Sequence, residues 1–260
     1  MTSDTTSLEI YMFPCLADNY GFLLHDSKQD LTATIDTPDV DAIEKALVIK
    51  GWKLTHILNT HHHWDHAGGN LELKKKTGCL VAGPLAEASK IPGIDIELQE
   101  GDIFQFGQFK ASVYDTPGHT SGHIVYHFKS EHAAFVGDTL FAMGCGRLFE
   151  GTPEQMWHSL QKIMQWPDET RLYCAHEYTL DNAKFAITID PANQNLINRL
   201  NEVERTRSKG LPTIPTTLEL EKKTNPFLRA MDNAIRYRIK LAQASNVEVF
   251  AKIRQLKDNF

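Results

Sequence analysis

The chain has 260 residues, 42% of them hydrophobic and 23% charged, which suits a globular protein with one large core or a core plus a small second domain. No run approaches the roughly 20 apolar residues of a membrane helix, and residues 1–7 lack the plan of a secretory signal or transit peptide, so a cytoplasmic protein without a membrane partner is expected. The net charge of −6 argues against nucleic acid as the main partner.

In chain order, short apolar runs predict strands over 8–13, 21–25, 32–36, 56–59, 109–114, 123–127, 133–136 and 171–174. Helices are predicted over 39–50, with Gly51 at its end, over 70–77, closed by Gly78, and from Thr152-Pro153 to about 165. After Tyr178 helices dominate, over about 179–188, 192–209 and 245–257, with a linker over 210–215. The layout is a layered α/β domain over 1–178 followed by a helical domain over 179–260. The charge divides the same way: residues 181–260 hold 14 Lys+Arg and 9 Asp+Glu, a balance of +5, which leaves −11 for residues 1–180. The basic tail suits either a small anionic ligand or a solvated helical surface. The four cysteines are widely spaced and are read as reduced thiols, with Cys145 between two glycines close to a loop.

Four histidines and an aspartate fall within six residues, in Thr60-His61-His62-His63-Trp64-Asp65-His66. Packing does not demand that density of imidazole; a metal does. Beyond a strand, residues two apart point the same way, so His61 and His63 can address one cation, and Asp65 and His66 a second beside it. His62 and Trp64 are expected outside the ligand set, His62 outward or behind the ligands and Trp64 as a packing indole. Further candidates stand at strand ends: His119 in Asp115-Thr116-Pro117-Gly118-His119, Asp138 after 133–136, and His176 after 171–174. His123 is expected behind the ligands or in the core, and His25, His56, His127, His132 and His158 at the surface or in the core.

Together these residues resemble the metallo-β-lactamase superfamily over 8–178. Within it, the segments 60–70, 116–123, 145–152, 176–179 and 225–229 resemble glyoxalase II, the hydroxyacylglutathione hydrolases, over nearly the whole chain. The resemblance implies an αββα sandwich with a C-terminal all-helical, glutathione-binding domain. It implies two divalent cations per chain, zinc first and iron or manganese as alternatives. His61, His63 and His119 would hold one, Asp65, His66 and His176 the other, and Asp138 both. Asp65 and Asp138 are the implied catalytic pair. Arg147, Phe149, Tyr178, Arg254 and Lys257 are the implied contacts to glutathione, with Arg254 and Lys257 on its glycine carboxylate; some relatives have Lys and Tyr where Arg147 and Phe149 stand. The implied activity is hydrolysis of S-(2-hydroxyacyl)glutathione thioesters by a dinuclear metal-bound hydroxide. S-D-lactoylglutathione would give D-lactate and glutathione, the second step of methylglyoxal detoxification, in a monomeric enzyme.

Other readings fit the ligands less completely. A lactonase would not need the 225–229 element or the basic last helix. A persulfide dioxygenase would use one iron and fewer ligands, an RNA-processing nuclease would want a basic surface, and a β-lactamase a different second ligand set. A non-catalytic metal-binding protein would normally have lost ligands that are all present here.

Overall fold

Strand β2 (Asn19–Asp26) is buried along its whole length, which a strand can tolerate only between two packed layers. A computed structural model describes residues 7–260, so of the polar segment 1–7 only Ser7 lies among the described residues. By its contacts the chain divides into two compact units. The first runs to Asp115 and includes Gly122–Gly137; the second comprises Thr116–Ser121 and Asp138–Phe260.

In the first unit, β1 (Glu9–Cys15), β2, β3 (Leu31–Ile35), β4 (His56–Leu58), β5 (Leu80–Pro84) and β6 (Ile96–Leu98) form one sheet in chain order. The pairs β1–β2 and β2–β3 are antiparallel and those from β3 to β6 parallel. Parallel neighbours need a crossover. Helix α1 (Val40–Lys50) lies between β3 and β4 in sequence, and α2 (Trp64–Ala67) and α3 (Asn70–Thr77) lie between β4 and β5. Helix α1 starts because the Asp39 side chain accepts from Ala42 N, and it stops at Gly51 in the left-handed conformation. Its buried face, Ile43, Ala46 and Leu47, packs with Leu23, Ile57, Leu73 and Val81. Strands β7 (Ile103–Phe106), β8 (Phe109–Asp115), β9 (Ile124–Phe128) and β10 (Ala133–Gly137) form an antiparallel meander. The two sheets of this unit meet where Phe22 packs edge-on against Phe135 and Tyr126 Oη donates to Asn59 O at 2.8 Å.

In the second unit, the hairpin β11 (Leu140–Phe141)–β12 (Gly144–Cys145) precedes α4 (Pro153–Met164). Helix α4 begins in a Thr152/Gln155 capping box with proline in its first turn, as that sequence predicts. Strand β13 (Arg171–Cys174) pairs with β14 (Thr216–Thr217), and the rest is helical: α5 (Thr179–Ile189), α6 (Gln194–Arg207), α7 (Leu218–Thr224), α8 (Asn233–Arg238) and α9 (Asn246–Asp258). A buried polar knot ties α6 to α7. Arg199 bonds Glu221 Oε1 at 2.5 Å, Thr224 Oγ1 at 2.5 Å and Thr216 Oγ1 at 2.8 Å, and Glu221 is fully buried. Among the described residues no helix is long and apolar enough to cross a membrane.

The predicted strands and long helices are present, with ends shifted by a few residues. The short elements β5, β6, β7, β11, β12, β14, α7 and α8 are additional. They run for two to seven residues, too few for a hydrophobic period to show. The segment 61–66, expected as an extended stretch and a turn, runs instead into the four-residue helix α2, with His63 as its N-cap.

Candidate active site

Parallel strands β3 and β4 deliver the chain to the edge of their sheet, the usual place for a ligand site in such sheets. Asp36 follows β3 at φ +57°, an unusual conformation for a residue with a side chain. Its carboxylate holds the start of the next segment: Oδ1 accepts from Thr60 N at 2.7 Å, and Oδ2 from Thr60 Oγ1 at 2.8 Å. Oδ2 also lies 2.7 Å from His66 Nδ1, which turns Nε2 of that ring toward Asp65, at 3.5 Å from Asp65 Oδ2. His61 Nδ1 is bonded to Thr60 Oγ1 at 3.0 Å, so its Nε2 faces forward, 3.0 Å from His63 Nδ1. Asn19 Nδ2 donates to Asp65 Oδ2 at 3.1 Å. His61, His63, Asp65 and His66 thus converge within the first unit, with the rings of His61 and His66 4.0 Å apart.

The second unit gathers the other three. His119 rides on the 116–121 loop, pinned by a Thr116–Thr139 hydroxyl bond of 2.8 Å, and its Nδ1 bonds Arg147 O at 2.9 Å. Its Nε2 lies 3.3 Å from Asp138 Oδ2, while His176 Nε2 lies 3.4 Å from Asp138 Oδ1. Each carboxylate oxygen therefore serves a different imidazole, at separations longer than a charge-assisted hydrogen bond. A cation on either side of Asp138 fits this donor set of imidazole and carboxylate, with ring orientation fixed from behind as ligating histidines require. Gly146 makes room: a Cβ there would lie 2.0 Å from Asp138 O. Tyr178 stacks on His176 with ring centroids 4.8 Å apart and planes 2° apart, and Phe141 packs edge-on against both.

A cavity of about 350 Å³ opens beside Asp138 and His119 in this unit. Arg147, Phe149, Tyr178, Arg254 and Lys257 all line it. Arg254 is 5% exposed and braced: Nη1 donates to Cys145 O at 2.8 Å, Nη2 lies 2.9 Å from Asp258 Oδ1, and the guanidinium sits 5.0 Å from the centroid of Phe227. Lys257 Nζ donates to Asp181 O at 3.2 Å. Burial, then Arg254 and, more weakly, Arg147, hold the Lys257 ammonium below the usual lysine range. Cations crowded together in a partly dry wall are poised for an anion. Phe149 reaches edge-on to His119 at 5.2 Å and is otherwise exposed.

Of the other residues in and around the motif, Trp64 departs from expectation, while His62, His123 and the cysteines follow it. Trp64 does not pack inside; it is 73% exposed, and its indole overhangs Gly68. His62 stands behind the site, its ring Nδ1 2.9 Å from buried Glu87. His123 is buried and stacks on His61, and all four cysteines are free and buried. Burial pushes the Cys145 thiol up to about 11, which makes it a wall of the cavity and a poor nucleophile. The sequence reading missed Asp36, whose only signal is a polar residue ending a strand, and also Glu87, Phe141 and Asn182. Asp36→Ala is expected to weaken metal binding about 10–100-fold, the usual cost of losing a histidine's partner; a metal titration at unchanged affinity would remove Asp36 from this role.

A model of the metallo-beta-lactamase superfamily matches residues 27–176, and one of the hydroxyacylglutathione hydrolase C-terminus matches residues 177–260. A hydroxyacylglutathione hydrolase of Maricaulis maris (strain MCS10) is 54% identical over 255 residues, covering 98% of this chain and 100% of that protein. The chain belongs to the hydroxyacylglutathione hydrolases of the metallo-β-lactamase superfamily. A second hydroxyacylglutathione hydrolase, from Rhizobium meliloti (strain 1021), is 54% identical over 254 residues, covering 98% and 99% of the two chains. Among solved structures, ETHE1 from Myxococcus xanthus aligns with a TM-score of 0.68 at 25% identity, covering 95% of this chain and 90% of that one. The fold of a hydroxyacylglutathione hydrolase follows, the αββα sandwich of the superfamily with a C-terminal helical region. Superfamily membership and the His/Asp clusters together make the chain a divalent-metal protein.

Proposed function

We infer that the chain hydrolyses S-(2-hydroxyacyl)glutathione thioesters, releasing a 2-hydroxy acid and glutathione, with S-D-lactoylglutathione as the substrate that yields D-lactate. It is a thioester hydrolase by family. The observation that carries the substrate is the cavity: Arg147, Arg254 and Lys257 line the same space as Asp138 and His119. Glutathione brings two carboxylates to those cations, and its acyl sulfur is placed beside the carboxylate and imidazole.

The ligand assignment proposed is His61, His63 and His119 for one cation, Asp65, His66 and His176 for the other, and Asp138 for both. Zinc, iron and manganese all suit imidazole and carboxylate donors, zinc being the first choice. Two such cations supply an acidified water at neutral pH and a Lewis acid for the thioester carbonyl. The protein residues do the rest. Asp138 and Asp65 hold negative charge where cations and the attacking water must be oriented. Thr60, Asp36 and the Arg147 carbonyl fix the faces of His61, His66 and His119. Tyr178 keeps the His176 ring in plane and closes one side of the cavity. The glutathione sulfur, whose thiol has a pKa of about 8.5, leaves as thiolate without a strong general acid.

The division at residue 178 is proposed as one of function, with the metal ligands before it and Arg254 and Lys257, proposed for the glycine carboxylate, after it. The setting proposed is cytoplasmic, where buried reduced thiols are at home, and the working form a monomer without nucleic-acid partners.

Lys257→Ala is expected to raise KM for S-D-lactoylglutathione at least about tenfold, the scale of one charge-assisted hydrogen bond, with a smaller effect on kcat. The charged ammonium binds the carboxylate and is lost as pH rises through its lowered pKa. KM of the wild type therefore rises at a pH below the usual lysine value of about 10.4. Steady-state kinetics across pH check both, and a KM indifferent to Lys257 would remove the tail from glutathione binding. The function itself is tested by following thioester loss from S-D-lactoylglutathione against ring opening of an acyl-homoserine lactone. Turnover of the lactone alone would keep the fold and discard the substrate.

A further inference from the structure

The hairpin β11–β12 has almost no secondary structure of its own to hold it, yet it forms one wall of the cavity. Two residue pairs join its strands, Leu140 with Cys145 and Phe141 with Gly144, and Met143 at the turn adopts φ +54°. Its buried backbone groups are satisfied instead by side chains from elsewhere in the second unit. Asn225 Nδ2 donates to Phe141 O at 3.1 Å and to Gly144 O at 3.0 Å, bracketing the turn. Glu221 Oε2 accepts from Met143 N at 2.8 Å and lies 3.0 Å from Asn225 Nδ2, sharing its two hydrogens with the two carbonyls, and Asn182 Nδ2 donates to Ala142 O at 3.1 Å. Asn225 Oδ1 accepts from Phe227 N at 3.0 Å. Asn225 is fully buried, and of the common side chains only a primary amide offers donors to two carbonyls and an acceptor to an N–H at once.

What the hairpin presents is functional. Phe141 packs against His176 and Tyr178, and the Cys145 carbonyl receives the Arg254 guanidinium. Phe227, held through its N–H by Asn225, supports the same guanidinium from below. Asn225 therefore reaches Arg254 by two routes without lining the cavity.

We propose that Asn225 is a positioning residue for thioester binding: it sets the hairpin and Phe227 so that Arg254 faces the substrate carboxylate. This rests on the glutathione-thioester reading above and names the device that aligns its anion site. It gives the 225–229 segment, which no ligand or cavity contact explains, a task in recognition.

The test is a double-mutant cycle on metal-loaded protein, with Asn225→Ala, Arg254→Ala and both, read as KM on S-D-lactoylglutathione and as Kd for glutathione by calorimetry. Asn225→Ala is expected to raise KM and Kd about tenfold, with kcat falling by less than KM rises. In the Arg254→Ala background the same replacement should add less than about twofold, because the group it misplaces is gone. Equal factors in both backgrounds, or a lowered Tm with wild-type KM and Kd, would overturn the proposal by reducing Asn225 to a purely structural role. Should Asn225→Ala fail to fold, Asn225→Ser retains a hydroxyl donor and is expected to act in the same direction with a smaller factor; independent, additive factors there also overturn it. A wild type that neither hydrolyses the thioester nor binds glutathione overturns the functional reading and this proposal together. Wild-type turnover with additive factors overturns the positioning role alone.

Discussion

Asp138→Ala is expected to lose bound metal and turnover together. The carboxylate places one oxygen 3.3 Å from His119 Nε2 and the other 3.4 Å from His176 Nε2, so one side chain serves both imidazoles. Removing a partner behind a ligand costs roughly 10–100-fold, so removing the ligand proposed for both cations should cost more, on the order of 10³-fold in kcat/KM or beyond. The replacement also leaves His119 and His176 without the negative charge that brings cations to them. Metal analysis of the purified variant, alongside thioester kinetics, gives the result. A variant that keeps two cations per chain and wild-type turnover would contradict the assignment of Asp138.

Arg199→Met is expected to lower stability by about 3–5 kcal/mol, because it strands a buried carboxylate. Glu221 is fully buried, and Arg199, itself 5% exposed, is its only cationic partner among the bonds described, with Thr216 Oγ1 sharing the same oxygen. The loss should be partly recovered in Arg199→Met with Glu221→Gln, since the amide carries no charge to desolvate. It should not be recovered fully: the amide oxygen can accept from Met143 N and Asn225 Nδ2, but its nitrogen then faces the oxygen site on which Thr216 Oγ1 donates, and methionine leaves Thr216 and Thr224 without the Arg199 donors. Urea unfolding of the metal-loaded proteins measures this. A loss below about 1 kcal/mol for the single variant would mean that the pair does not anchor α6 to α7.

The proposed metal ligands are legible in the sequence because four of the seven, His61, His63, Asp65 and His66, fall in one short segment and the other three follow strands. Imidazole at that density has few other uses. The cations of the cavity are legible only through resemblance. Nothing in the spacing of Arg147, Arg254 and Lys257 says that a loop and the last helix of one unit bring them to a common wall. Asp36 is invisible for a related reason: its role depends on a left-handed turn at the end of β3 and on a hydrogen bond across 30 residues to His66. The hairpin 140–145 shows the limit most clearly. Its strands are too short for any period, and its stability comes from Asn225, Glu221 and Asn182, which are distant in the chain. Trp64 misleads in the opposite direction, a large indole in a ligand-rich motif that lies on the surface.

The proposed activity is hydrolysis of glutathione thioesters at a centre loaded with two divalent cations. It is tested most directly by stripping the metal, returning zinc in measured equivalents, and following S-D-lactoylglutathione hydrolysis at each step. No turnover is expected in the stripped protein, with a rise on zinc addition that saturates at two equivalents per chain. Undiminished turnover after complete stripping, or a fully loaded protein that leaves the thioester intact, would contradict it.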